Sequence, residues 1–284
     1  MTKTAFDPTR DGFAMRLAKS IKSIGKLLIS THKARYPHSR HDRPLVILGN
    51  GPSLADTIAA HGQYISSEVD AMAVNFAANT PEFSQLRPRY YILADPHFFA
   101  NPDDPNVARL LHNISSVDWP MTIFLPFAAR RSCTLQPGEH LSVEYYNAVG
   151  IEGFGALQRM AFNSRRGMPR PRNVLIPAIM TGIGMGYTDI FITGADHTWT
   201  ATLAVDDQNH VLSRQPHYYK EDGKEEKRIR NEYHKYPLHS ILYSFYLAFK
   251  AYHTIADYAT YRGINIYNAT PGSMIDAFAR RPLK

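Results

Sequence analysis

The sequence predicts an α/β fold: a mostly parallel, doubly wound (Rossmann-like) sheet with helices on both faces. Three observations carry that prediction. Short apolar runs at 45–48, 90–94 and 189–193 suit strands covered on both sides, and segments of helical period separate them. The stretch Pro44-Leu45-Val46-Ile47-Leu48-Gly49-Asn50-Gly51-Pro52-Ser53-Leu54 reads as strand, glycine turn and helix start. Polar residues then recur at the carboxyl ends of strands, where open α/β sheets bind ligands.

The elements follow in order. Residues 1–12 read as disordered, and 13–29 as an amphipathic helix with Phe13, Leu17, Ile21, Ile24 and Leu28 on one face. Arg16, Lys19, Lys22 and Lys26 fall opposite, and no acidic residue occurs from Gly12 to Tyr36. Such a helix either lies in the headgroups of an anionic membrane or packs on the domain by its apolar stripe. Residues 32–43 read as a polar linker. Strands are predicted at 45–48, 70–76, 90–94, 121–126, 142–146, 189–193 and 264–268. Helices are predicted at 54–60, 103–114, 155–163, 174–185 and 240–261. Thr270-Pro271-Gly272-Ser273 is expected to cap a C-terminal helix. The polar, Tyr- and His-rich insertion at 200–237 interrupts the alternation directly after a strand end, the usual place for a lid. Two parts are therefore expected: residues 1–43 as basic helix and linker, and 44–284 as the α/β domain with its lid.

Composition narrows the function. With 284 residues, 44% of them hydrophobic, the chain can bury one large domain. A single cysteine, Cys133, excludes a disulfide framework and fits a reducing, cytoplasmic compartment. No run is apolar and long enough to span a bilayer, and no signal peptide is visible. The net charge of +7 favours an anionic partner. The absence of a nucleic-acid motif argues for a small phosphorylated ligand or a membrane surface rather than nucleic acid. Seventeen tyrosines suggest stacking surfaces for sugars or bases.

The glycine turn at Gly49 and Gly51, followed by Pro52 and Ser53 at a helix N-terminus, is a recipe for holding a phosphate. An ordinary βα turn is the alternative. It is neither a Walker loop nor a full dinucleotide fingerprint. Asn50, Asn75, Asp95 and Asp196 share one rim if the strands are parallel, and the asparagines suit a nucleobase or ribose edge. A general base near neutral pKa comes from His97, His197, His217, His234 or His239. Asp206-Asp207 resembles a Mg²⁺-binding carboxylate pair but also reads as turn chemistry. No Cys/His spacing suggests zinc, and no nucleophile elbow is present.

Gly49-Asn50-Gly51-Pro52-Ser53-Leu54 resembles the opening motif of bacterial sialyltransferases of the Campylobacter type. Val74-Asn75-Phe76 is similar to that family's second-strand, nucleotide-binding asparagine. The stretch from Gly186 through Gly194 to Asp196 resembles its Gly-x-Asp strand. Lys235-Tyr236-Pro237-Leu238-His239-Ser240 resembles its segment with a phosphate-binding tyrosine and a catalytic histidine, which implies Tyr236 and His239. The turn ending in Ser273 looks like the closing turn beside the nucleotide. The resemblance implies an inverting, metal-independent glycosyltransferase without cofactor. It would move sialic acid or a related nonulosonate from a CMP-activated donor to a glycan or glycolipid hydroxyl. Gly49, Asn50, Gly51, Pro52, Ser53, Asn75, Asp95, Gly194, Asp196 and Ser273 would hold the donor. The basic amphipathic helix at 13–29 would place such an enzyme at the inner membrane face, and an oligomer is possible. An arginine expected before the 174–185 helix is Arg170 or Arg172; the family's lid tyrosines have no clean match here, and His197 or Trp199 stands nearby. The same opening, with Asp95-Pro96, also resembles the MptE-like 6-hydroxymethylpterin diphosphokinases and the motility accessory factors. That route implies ATP and Mg²⁺. A non-catalytic nucleotide- or glycan-binding module is the third reading.

Overall fold

The computed structural model describes residues 11–213 and 235–284. Its helices are α1 (Phe13–Ser30), α2 (Ser53–Ser67), α3 (Glu82–Leu86), α4 (His97–Ala100), α5 (Pro105–Ser115), α6 (Gly155–Asn163), α7 (Leu175–Met185) and α8 (Leu238–Arg262). Its strands are β1 (Leu45–Leu48), β2 (Asp70–Val74), β3 (Tyr90–Ile92), β4 (Met121–Pro126), β5 (Leu141–Tyr146), β6 (Asp189–Thr193), β7 (Ala204–Val205), β8 (Val211–Leu212), β9 (Asn265–Asn268) and β10 (Ala279–Arg280).

Eight strands form one sheet in the order β10-β9-β6-β1-β2-β3-β4-β5, with every pairing parallel. The chain winds outward from β1 through β2 to β5, then returns to the other side of β1 as β6. The strand order therefore reverses between β1 and β6, which opens a crevice at their carboxyl ends. Both faces are covered. Leu45, Ile47, Met72, Val74, Ile190 and Ile192 enter one core together with all of α7 and much of α8. Val46, Leu48, Ala71 and Ala73 point the other way, into cores completed by α2, α3 and α5. That two-sided burial is why β1 and β2 are wholly apolar or small apart from Asp70, and each fully buried aliphatic side chain is worth about 1.5–3 kcal/mol.

Local signals place the helices. Asp104 caps α5 by accepting from the amides of Asn106 (2.9 Å) and Val107 (3.2 Å), with Pro105 in the first turn. Gly263, in the left-handed region at φ +66°, ends α8. His239 lies inside the first turn of α8, not ahead of it as the sequence suggests.

Four expectations need correction. The apolar stripe of α1 faces outward, not onto the domain: Phe13 is 73%, Ile21 63% and Leu28 79% exposed. The helix docks instead by Ser20 and Ser23, both buried. Residues 31–44 are a pinned strap. Tyr36 and Ala34 are buried, Asn147 brackets His32 with two hydrogen bonds, and His41 stacks on Tyr187 at 3.7 Å. Asp11 and Gly12 are placed, with Asp11 paired to Lys19 at 2.7 Å and Gly12 capping α1. Finally, no helix follows Ser273. Residues 274–284 bend at 274 and 277–278 and add β10 to the sheet, and the Arg280 guanidinium takes the carbonyls of Thr270, Ser273 and Ile275 that a helix would need.

Of the lid at 200–237, the described part holds a helical turn at 198–202 and the antiparallel β7–β8 pair. His217, His234, Tyr218, Tyr219, Tyr233 and the charges from Lys220 to Arg230 lie outside the described residues, as do residues 1–10. Among the described residues, no helix is long and apolar enough to cross a membrane.

Candidate functional site

The crevice at the switch point is a cavity of about 670 Å³. Its size lies within the roughly 300–1,000 Å³ usual for small-molecule sites. Four strand ends feed it. Asn50 follows β1, Asn75 follows β2, Asp95 follows β3, and Gly194 and Asp196 follow β6. Gly49, Gly51 and Pro52 also line it. The fourfold convergence expected from parallel topology is therefore present.

The glycine corner does a different job from the one its sequence suggests. Its amides are already engaged: Gly49 N donates to Thr193 O (2.8 Å), Gly51 N to Gly194 O (2.8 Å) and Leu54 N to Gly51 O (3.0 Å). Asp196 fills the N-terminus of α2, taking the Ser53 hydroxyl at 2.8 Å and the Ser53 amide at 3.4 Å. A carboxylate thus occupies the place predicted for a phosphate. The glycines exist because two loops cross back to back. A methyl on Gly49 would sit 2.5 Å from Gly194 O, and one on Gly51 would overlap Asp196. Gly194 completes the clasp at φ +64°. Ser53 is consequently a support for Asp196 and is not part of the cavity lining.

Asn75 holds a left-handed backbone at φ +48°, a conformation asparagine tolerates. The Tyr91 hydroxyl fixes it by donating to Asn75 O. The Asn75 Oδ1 is buried with no hydrogen-bond partner. Asn50 donates from Nδ2 to Val74 O at 3.2 Å, which ties the β1 and β2 ends together. Asp95 Oδ1 accepts from His97 N at 2.9 Å and so starts α4. Ser273 is buried, donates to Ala195 O and accepts from Asn268 Nδ2 at 3.0 Å. It braces the Gly194–Asp196 loop from behind rather than lining the cavity.

The opposite wall escapes the sequence reading except for Arg172, expected there as one of two arginines. Pro171, Arg172, Asn173, Val174 and Leu175 bring the N-terminus of the wholly buried α7 to the cavity. Asn173 Oδ1 accepts from Leu175 N (3.0 Å) and from the Tyr252 hydroxyl (2.9 Å). Those two bonds orient the amide, and its Nδ2 is left buried without a partner. The amide of Val174 donates to no group among the described residues. An Asn just ahead of an all-apolar helical run was the available signal.

Of the five candidate histidines, His197 reaches the cavity. It is buried, stacked on Trp199 at 4.0 Å, and its Nε2 lies 2.7 Å from the Tyr252 hydroxyl. Since that hydroxyl donates to Asn173, His197 Nε2 carries the proton and donates. Burial pushes the His197 pKa down to about 3. It is a neutral, fixed hydrogen-bonding group at any ordinary pH. His97 is held by Asn101 at 3.0 Å, away from the lining. His239 is exposed and lines neither this cavity nor the next. Tyr236, half exposed, lines a second cavity of about 500 Å³ with Ser240, Ile241, Tyr243, Ser244, Phe245 and Arg172. Arg172 belongs to both and stands between them.

Asp206 is turn chemistry: it accepts from Gln208 N (3.0 Å) and His210 N (2.8 Å), and these bonds, His210 first, lower its pKa. Among the described residues, no three His, Cys, Asp or Glu side chains gather as a metal group.

The depressed pKa of His197 has a thermodynamic consequence. The unfolded chain takes up a proton below about pH 6.5, whereas the folded one refuses it until about pH 3. This contribution to stability is fully present above pH 6.5 and falls as the pH drops through that window. Between pH 7 and pH 5 it amounts to about 2 kcal/mol. Urea unfolding at both pH values is expected to show His197→Asn losing about that much less than the parent; equal losses would contradict the assignment.

No family model matches the sequence, and no curated protein matches it. Among solved structures, the crystal structure of a mammalian sialyltransferase is similar at a TM-score of 0.33 and 11% identity. A second, of a mammalian sialyltransferase in complex with Gal-beta-1-3GalNAc-ortho-nitrophenol, is similar at 0.31 and 12%. Each covers 80% of this chain and 77% of the other.

Proposed function

We propose that the chain is an inverting glycosyltransferase that moves an acidic sugar, sialic acid or a related nonulosonate, from a CMP-activated donor to a glycan hydroxyl. The observation that carries the reading is a pair of buried, unpartnered amide atoms on two residues that line one cavity, Asn75 Oδ1 and Asn173 Nδ2. One accepts and the other donates. Together they suit a neutral ligand edge carrying both functions, as a cytosine or a ribose does. The motifs resembling sialyltransferases point to the same nucleotide.

The donor phosphate belongs on the wall opposite the glycine corner. There the Val174 amide, the positive end of α7 and the Arg172 guanidinium offer three kinds of anion contact, while Asp196 repels a phosphate from the α2 end. Gly49, Gly51 and Gly194 shape that floor, and Asn50 and Asp95 flank it. In the reaction, the acceptor oxygen attacks the anomeric carbon as the bond to the CMP phosphate breaks. His239, next to Ser240 of the second cavity, takes the hydroxyl proton; Tyr236 hydrogen-bonds the departing phosphate and Arg172 neutralises it. The chemistry needs no metal, since these groups supply the charge.

A thermal-shift panel of CMP, CDP, UDP, GDP, ATP and pterin, each with and without Mg²⁺, tests this. CMP at a hundredfold excess over its Kd is expected to add about 2.7 kcal/mol of stability without Mg²⁺. Asn75→Ala and Asn173→Ala are expected to lose most of it. A response to ATP or pterin that requires Mg²⁺ would replace the reading by a diphosphokinase.

A further inference from the structure

Helix α1 is mounted the wrong way round for a helix that completes a domain. A surface helix ordinarily buries its apolar stripe. Here the polar side is buried and saturated. Ser23 Oγ donates to Glu152 O (3.0 Å) and accepts from Glu152 N (2.9 Å), and Ser20 Oγ accepts from Phe154 N (2.9 Å). Lys26 Nζ reaches Gly150 O at 3.0 Å, and Lys19 pairs with Asp11 and Glu152. The outward side carries Phe13, Met15, Leu17, Ile21, Ile24, Leu28 and Ile29, each between 45% and 84% exposed. At about 100° per residue these span roughly half the helix circumference, with Lys22 the one charge among them. Leu238, Leu242 and Tyr243, on the first turns of α8, are exposed as well.

We propose that this face docks flat on an anionic phospholipid bilayer. Charge decides between occupants. From Gly12 to His41 there is no acidic residue. Lys19 and Lys26 are engaged by the body, which leaves Lys22 in the arc and Lys33, Arg35 and Arg40 exposed on the strap that follows the helix. Two copies meeting through this face would bring cation against cation with no acidic residue of the segment to pair them. A layer of lipid phosphates satisfies the same charges while the apolar arc enters the acyl boundary. The polar contacts to 150–154 hold the helix in the orientation that this requires, so docking needs no rearrangement.

The test is flotation of the full chain with vesicles of phosphatidylcholine alone or with 30% phosphatidylglycerol. Binding is expected to the mixed vesicles, weakened at 0.5 M salt (about 4 Å screening length), and absent from phosphatidylcholine alone. Ile21→Glu with Leu28→Glu is expected to weaken it by about tenfold or more. Lys22→Gln is expected to weaken it by about fivefold. Both changes lie on exposed residues, and unchanged circular dichroism and Tm verify that folding is intact. No vesicle binding overturns the proposal, whether or not light scattering then shows a dimer that the double variant dissolves. So does full binding by the double variant, which would place the contact elsewhere. Neither result bears on the CMP thermal shift, so the two readings fail separately.

Discussion

Replacing His239 with alanine is expected to lower sugar transfer by about 10²- to 10⁴-fold while the CMP-induced thermal shift survives. That span is what a positioned general base contributes, and it corresponds to about 3–5 kcal/mol of barrier. The acceptor hydroxyl must give its proton to a group that holds it near working pH. His197 sits in the cavity but is barred from that role by burial, which pushes its pKa to about 3. It serves by fixing Tyr252 and, through it, Asn173. His239 stands in the first turn of α8, next to Ser240, which already lines the second cavity. The two histidines therefore separate in an assay. His239→Ala should lose turnover and keep nucleotide binding, whereas His197→Asn should weaken nucleotide binding by loosening Asn173. Near-parental turnover in His239→Ala would remove it from the mechanism.

The second large effect is on folding. Gly194→Ala is expected to cost about 2–5 kcal/mol, a large share of the roughly 5–15 kcal/mol that holds a domain together. Two costs add. The backbone at φ +64° charges about 1–2 kcal/mol for any Cβ. The new methyl would also press on Gly49 O and stand 2.9 Å from Leu54 Cβ, and overpacking of that kind adds about 1–3 kcal/mol. Gly263→Ala is the control: its φ is +66°, but a methyl there meets nothing within 4 Å. It should cost only the backbone share. Urea unfolding of both variants compares the two, and equal losses would show that the loop clasp is slack.

Much of the architecture could be read from residues alone because two-sided burial leaves a plain mark. Leu45–Leu48 is apolar throughout since alternate residues enter opposite cores. Parallel topology then placed Asn50, Asn75, Asp95 and Asp196 on one rim, and they line one cavity. What could not be read depends on partners distant in sequence. Glycines suit an anion cup and a tight loop crossing equally, and Gly51 does the second because of Asp196, whose carboxylate meets Ser53 across 143 residues. Helical period shows which side of α1 is apolar but not which side meets the body. The expected C-terminal helix failed for a similar reason: Arg280 collects carbonyls ten and fewer residues back, a competition no local propensity records.

The serine seat of α1 bears on how the protein can be handled. Trimming the greasy leader to improve solubility looks harmless from its exposed side chains. Yet Glu152 N and Phe154 N would then lose their hydroxyl acceptors, and Glu152 would face Arg170 without Lys19 beside it. Gly153, at φ +104° and wedged against Ser20, would be left as an unsupported kink directly before α6. Swapping the outward leucines and isoleucines for glutamates, with the serines untouched, is the safer route to a tractable sample.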